Sequence, residues 1–341
     1  MAHASAVCWS GRDDGPGAEH ARWHSVVRPR AADSGSLGSG SPQNSEGGGG
    51  GVHLLGFGTD EGVRRNGGRT GAAQGPAALR RVMANGAVHG VLGSGAHEVI
   101  DHGDVLVEAG ALESAQEAAG CAVAAALDAA AGGLAIVLGG GHEVAWSSYL
   151  GLRASHLLSD PSEPVRWGVL NLDAHFDLRS EDRATSGTPF LQMAEAERDD
   201  LRGPLNYAVL GIAEPSNTSA LFARARDLGV RWMTDVECAE AGPAGVRRFV
   251  EEFSAGLDVL YLTVDLDVLP AAVAPGVSAP AALGVDPASV LAAVRAAASS
   301  GKLRLMDVVE LNPALDADLR TARTGARIID EAVRTMYDIH T

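Results

Sequence analysis

Apolar residues fall in short runs, at 52–57, 134–138, 165–170, 207–211, 230–233, 258–264 and 303–309, each closed by glycine or polar residues. The runs are largely continuous rather than alternating, the pattern of strands buried on both faces. Between them lie stretches with apolar residues at helical spacing. These predict helices starting near Pro76 and over 143–158, 189–196, 216–228, 243–253, 286–300 and 321–339. An alanine-rich helix, or a pair of them, is predicted over 104–131, and 88–99 reads as short strand or loop material. Strand and helix alternate along the chain, which predicts an α/β fold in three layers, α/β/α, around a mostly parallel sheet. The proline-broken stretch 268–283 cannot be regular.

The pattern weakens towards the N-terminus. Residues 1–32 contain Trp9 and Trp23, which suggests a segment docked on the domain rather than a free tail. Residues 33–51 are rich in Gly and Ser, end in five glycines and should form a flexible loop. Residues 52–341 then make one large domain. The segment 58–75 is a long polar, glycine-rich connection carrying Asp60, Glu61, Arg64, Arg65, Asn66 and Arg69. Its length makes a substrate-facing loop as good a reading as a solvated turn.

Charge narrows the partners. A formal net charge of −16 repels nucleic acid and anionic membranes, and leaves a small molecule as the expected partner. Cys8, Cys121 and Cys238 are odd in number and far apart, which speaks against a disulfide framework and for a reducing cytoplasm. Residues 1–10 lack the basic-then-apolar pattern of a secretory leader.

The candidate chemistry sits at strand ends. The run at 165–170 is followed by Asp173, His175 and Asp177, which share one face of an extended chain. The run at 258–264 ends in Asp265 and Asp267, and the run at 134–138 in three glycines and His142. Ligands of open α/β sheets collect outside the carboxyl ends of the strands, so one site is expected. Four carboxylates and two imidazoles carry too much negative charge for one divalent ion, whereas two ions balance it. If Asp173 and Asp265 bridge, each ion gains four protein ligands and a shared water finds room. Paired ions of this kind sit roughly 3.5–4 Å apart and can lower the pKa of bound water from about 15.7 towards about 7, giving a bridging hydroxide. Donors without thiolate favour Mn²⁺, with Fe²⁺, Co²⁺ and Zn²⁺ as the alternatives by affinity. Glu310 follows the run at 303–309 and faces the same end.

These residues carry a resemblance. Gly-Gly-Gly-His at 139–142, Asp-Ala-His-Phe-Asp at 173–177 and Asp-Leu-Asp at 265–267 resemble the signatures of the ureohydrolase superfamily of arginase and agmatinase. The strings at 9–14, 171–179 and 186–190 resemble its formimidoylglutamase branch. The resemblance implies an arginase-like fold, two Mn²⁺ ions per subunit, a homo-oligomer, and hydrolysis of N-formimidoyl-L-glutamate to L-glutamate and formamide in histidine degradation. It also implies that Glu310 holds the planar amidinium, with Asp177 both a ligand and a proton relay. The two carboxylates of such a substrate need cations, for which Arg179, Arg64 and Arg65 are the candidates. Ser186 stands where agmatinases usually carry His, which weakens a guanidine-hydrolysing reading. The alternative is another ureohydrolase specificity, guanidinobutyrase or agmatinase-like, that releases urea.

Overall fold

A computed structural model describes residues 9–30, 50–108, 110–159, 165–200 and 203–337. Nine strands form one sheet: β1 (Val27–Pro29), β2 (Val52–Gly58), β3 (Val99–Leu106), β4 (Leu134–Gly139), β5 (Trp167–Leu172), β6 (Asn206–Ile212), β7 (Arg231–Thr234), β8 (Val259–Asp265) and β9 (Leu303–Val309). Their order is β1-β3-β2-β4-β9-β8-β5-β6-β7, and every pair is parallel. Strands β8 and β9 thus insert between β4 and β5. All the strands preceding candidate ligands become consecutive neighbours at the middle of the sheet.

The continuous apolar runs are explained by burial on both faces. On β4, Leu134, Ile136 and Leu138 join one hydrophobic cluster while Ala135 and Val137 join the other. The first cluster is covered by helices Gly75–Met83, Asp235–Ser254, Pro287–Ser299 and Arg320–Tyr337. The second is covered by Leu112–Ala130, Val144–Ala154, Pro189–Asp199 and Ser219–Asp227. Each fully buried Leu or Val contributes on the order of 1.5–3 kcal/mol, so the central strands are a rigid platform. The α/β/α layering and the parallel sheet agree with the sequence pattern. Among the described residues, no helix is long and apolar enough to cross a membrane.

Besides short helices at Trp23–Val26, Glu61–Arg65 and Gly90–Gly93, the structure departs from the sequence expectation at β3, at β1 and before Pro243. Strand β3 occupies 99–106, where short strand or loop material was expected only up to 99 and a helix from 104, and the helix begins only at Leu112. The polar positions that hid it are satisfied by tertiary contacts. Asp101, 2% exposed, accepts hydrogen bonds from Arg80 Nε at 2.7 Å, from Arg80 Nη2 at 2.9 Å and from Trp9 Nε1 at 2.7 Å, and Asp104 also pairs with Arg80. Strand β1 is too short for a periodic signal. The helix expected at 243–253 is present from Pro243, and a further helical stretch from Asp235 precedes it, the two parted by Gly242, whose φ of 61° and ψ of −174° suit glycine alone. The segment 9–30 lies against the domain through Trp9 and the buried Trp23, while residues 1–8 and 31–32 of the expected N-terminal segment, and 33–49 of the expected Gly/Ser loop, lie outside the described residues.

His53 on β2 and His102 on β3 meet at 2.8 Å, Nδ1 to Nε2. Burial, then the neighbouring His102 and Arg30, push His53 down to about 4, and burial and Arg30 do the same to His102. Both are therefore neutral in the folded chain at pH values where the unfolded chain, with His near 6.5, takes up protons. Stability is fully present above the unfolded value and is lost as pH falls through 6.5 towards about 4. Urea unfolding at pH 7 and pH 4.5 checks this: His102→Gln should lose less stability between the two than the unsubstituted chain, by about 1–3 kcal/mol. Equal losses would contradict it.

Candidate metal centre

Four neighbouring strand ends, those of β4, β9, β8 and β5, deliver the imidazoles and carboxylates of one cavity of about 290 Å³. After β4 the chain must turn sharply against the loop that follows β2. Gly140 makes this possible, since a Cβ there would stand 1.8 Å from Thr59 O. Gly141 N donates to Thr59 O and Glu310 N donates to Gly140 O, so this turn also fixes the end of β9. His142 is delivered 1% exposed.

His142 Nδ1 lies 3.1 Å from Asp173 Oδ2, 3.0 Å from Asp177 Oδ2 and 3.2 Å from Asp265 Oδ2. Despite this proximity it makes no hydrogen bond of acceptable geometry. His175 Nδ1 lies 3.4 Å from Asp173 Oδ1 and 3.1 Å from Asp267 Oδ2. Two groups result, His142 with Asp173 and Asp177, and Asp173 with His175 and Asp267; within each, one donor atom per residue lies within 4.8 Å of the others. Asp173 belongs to both. A lone pair aimed at several acceptors without a hydrogen bond suits a cation, so this donor set fits a pair of divalent ions.

Electrostatics agree. Burial and the charges of Asp267 and Asp173 raise Asp265 well above the ordinary carboxylate range. Burial, then Asp173, raises Asp177; burial raises Asp267, where Asp173 adds to it and His175 opposes it. Although burial works against the charged imidazole, Asp173, Asp177 and Asp265 raise His142 well above 6.5, and Asp267 and Asp173 do the same for His175. Without a cation the cluster holds protons where ions would otherwise balance its charge.

The surroundings fix each ligand. Asn171 Nδ2 donates to Asp173 Oδ2 at 2.9 Å, His175 N to Asp173 Oδ1 at 2.6 Å, and Asp267 N to Asp265 Oδ1 at 2.7 Å. Asn217 accepts from Phe176 N at 3.1 Å and donates to Ala174 O at 2.9 Å, clamping the loop after β5. These asparagines have no metal-type chemistry and no spacing that would mark them in the sequence. Asp177 and Glu310 have φ values of 46° and 65°, a conformation side chains rarely adopt. Glu310 Oε1 accepts from His142 N at 2.9 Å, and burial together with nearby Glu143 pushes Glu310 up to about 8.

The rim carries Arg179, Ser186 and Arg69. Arg179 is exposed, and a Cβ on Gly187 would stand 2.8 Å from its Cδ, so that glycine gives the arginine room. It pairs with no acid among the described residues, Glu181 included. Ser186 Oγ accepts from Asn66 Nδ2 at 3.2 Å. Arg64 and Arg65, expected to close over the substrate, do not line this cavity. Arg64 pairs with Glu61 at 2.6 Å. Arg65 is held by Glu61 at 3.0 Å, Glu113 at 2.6 Å and Ala184 O at 2.9 Å, because the short helix Glu61–Arg65 turns its basic end to those acids. Arg69 takes the place beside the cavity, its Nε donating to Ser278 O at 3.0 Å and its Nη2 to Val277 O at 2.8 Å. Larger grooves of about 520 Å³ and 490 Å³ lie elsewhere, lined largely by apolar side chains and without such a donor cluster.

An open parallel sheet with carboxylates and imidazoles converging at its central strand ends defines a class, α/β proteins built around a centre for paired divalent cations. The chain belongs to the Arginase family, whose model matches residues 51–334. It is 50% identical to a formimidoylglutamase of Nocardia farcinica over 325 residues, 95% of each chain. It is 48% identical to one of Ralstonia nicotianae over 333 residues, 97% of this chain and 95% of that one. Among solved structures it resembles Trypanosoma cruzi formiminoglutamase with Mn²⁺, at a TM-score of 0.72 and 28% identity, over 87% of this chain and 96% of that one.

The closeness of Gly140 to Thr59 can be tested. Gly140→Ala should cost about 1–3 kcal/mol by overpacking and displace His142, so both the unfolding midpoint and metal-dependent turnover should fall. A variant as stable and active as its parent would contradict the described turn.

Proposed function

We propose that this chain hydrolyses N-formimidoyl-L-glutamate to L-glutamate and formamide, with two Mn²⁺ ions as its cofactor. The observation that carries the reading is the meeting, in one cavity, of a paired-cation donor set, the buried Glu310 and two arginines, in a chain about half identical to formimidoylglutamases over nearly its whole length. His142, Asp173, His175, Asp177, Asp265 and Asp267 would hold the ions. When bound, the ions supply a water ionised near neutral pH and a Lewis acid for the charge that develops on the substrate.

The protein's own groups do the rest. Glu310, anchored by His142 N, turns its carboxylate to the planar amidinium, where a two-point, charge-assisted contact orients the electrophilic carbon. A cation there also favours the ionised form of Glu310 against the burial that opposes it. Asp177, in its left-handed backbone conformation, would serve as a ligand and take up the proton that the water gives up. Arg69 and Arg179 receive the carboxylates of the glutamate half. Arg69 suits this role because two backbone carbonyls already hold its guanidinium, so less side-chain freedom is lost on binding. Ser186, fixed by Asn66, offers a neutral hydroxyl. A cationic guanidine such as agmatine would meet two arginines and be disfavoured.

The reading extends to a cytoplasmic location, in keeping with the free thiols of Cys121 and Cys238, and to a homo-oligomer. The net charge of −16 supports a small-molecule partner rather than a nucleic acid.

Product analysis of manganese-loaded protein offered N-formimidoyl-L-glutamate, guanidinobutyrate, agmatine and arginine tests the specificity. Glutamate and formamide from the first alone are expected, and urea from any of the others would overturn it. Arg69→Ala and Arg179→Ala should each raise KM on the order of 10- to 100-fold, from a charged hydrogen bond worth about 1.5–3 kcal/mol, with smaller changes in kcat. An unchanged KM in either removes that arginine from the substrate contacts.

A further inference from the structure

Behind His142, on the side away from the cavity, lies a buried carboxylate that the reaction above does not use. Asp307 is on β9, 0% exposed. Its Oδ2 accepts a hydrogen bond from Ser148 Oγ at 2.8 Å and another from Tyr261 OH. Its Oδ1 has no hydrogen-bond partner among the described residues. A carboxylate in a core of this kind is costly, and an orphaned oxygen adds to the cost. A methyl-bearing residue at this position would serve packing better.

The sheet register indicates what the group is for. Thr263 on β8 and Asp307 on β9 are direct Cα partners, so the two side chains stand side by side on one face of the sheet. Thr263 Oγ1 in turn lies 3.0 Å from His142 Nε2. With Nδ1 of His142 directed at the ligand carboxylates, Nε2 is the nitrogen that carries the proton, so it donates to Thr263 Oγ1. The Thr263 hydroxyl must then send its own proton elsewhere, and Oδ1 of Asp307, at the paired position of the neighbouring strand, is an acceptor left open beside it.

We propose that Asp307 is a positioning residue for the metal centre: through the Thr263 hydroxyl it fixes the tautomer and ring orientation of His142 and raises its basicity as a ligand. This rests on the reading of His142 as a metal ligand. Partners one step behind a ligating imidazole typically change metal affinity by about 10- to 100-fold when removed. The polarity that this role requires runs in one direction only: imidazole N–H to hydroxyl oxygen, hydroxyl O–H to carboxylate. Ser148 and Tyr261 donate to Oδ2 and hold the carboxylate in place.

The test is equilibrium Mn²⁺ titration of the full chain, freed of metal by chelation and studied without substrate, with the unfolding midpoint of the metal-free protein measured in parallel. Asp307→Asn and Thr263→Val should each weaken the binding of at least one ion by about 10- to 100-fold, while Thr263→Ser, which keeps the hydroxyl, stays within about threefold of the parent. Because both substitutions break one chain of hydrogen bonds, the double variant should bind little worse than either single one. Unchanged affinity in Asp307→Asn, equal weakening by Thr263→Ser and Thr263→Val, or multiplying losses in the double variant would overturn the proposal. If Asp307→Asn fails to fold, the Thr263 pair decides alone. Failure of the parent chain to bind Mn²⁺ would overturn the metal reading itself, and is distinguishable from these outcomes.

Discussion

Like charges held together at the middle of a buried sheet are the constraint on which this molecule depends. Asp173, Asp177 and Asp265 place carboxylate oxygens within 3.2 Å of one imidazole nitrogen, and Asp267 stands beside the second imidazole. Two unit charges at 4 Å repel by about 4 kcal/mol at an effective dielectric near 20, so several such pairs rival the net stability of a domain. Either protons or cations must compensate. Protons do so only by raising the affinity of the cluster for them, and the upward shifts of Asp265, His142 and His175 are that response.

Such a cluster needs a rigid frame, and the sheet provides it. Strands β4, β9, β8 and β5 lie side by side, buried on both faces, and each ends at the same rim. The backbone at Asp177 and Glu310 adopts left-handed conformations, costing of order 1–3 kcal/mol each. Residues in such conformations persist where the surroundings overdetermine them. Here Asn217 ties down the loop after β5, and the hydrogen bond from Glu310 N to Gly140 O does so for the end of β9. Folding thus sets the spacing of the donors in advance, and metal binding meets a largely prepared site.

Much of this was legible in the sequence because two independent periodicities coincide. Continuous apolar runs mark strands covered on both faces, and the metal-type residues stand directly at their ends, so strand assignment and ligand assignment supported each other. Glu310 was visible for the same reason. Strand β3 was not, since Asp101 and Asp104 look like surface residues until Arg80 and Trp9 are seen to neutralise and cover them. The arginines around the cavity were also hard to choose. Arg64, Arg65 and Arg69 share one glycine-rich segment, and only the positions of Glu61 and Glu113 in space decide that the first two are already engaged. Asn171, Asn217, Thr263 and Asp307 act by holding other groups, a role that leaves no local pattern.

The central claim is that the donors gathered around Asp173 hold two ions rather than one. Counting bound manganese per chain at saturation, by metal analysis after equilibrium dialysis, tests it most directly. The account predicts two ions per chain in the parent protein and tight binding of neither in Asp173→Ala. A parent that saturates at one ion, or an Asp173→Ala variant that keeps one tightly bound, would contradict it.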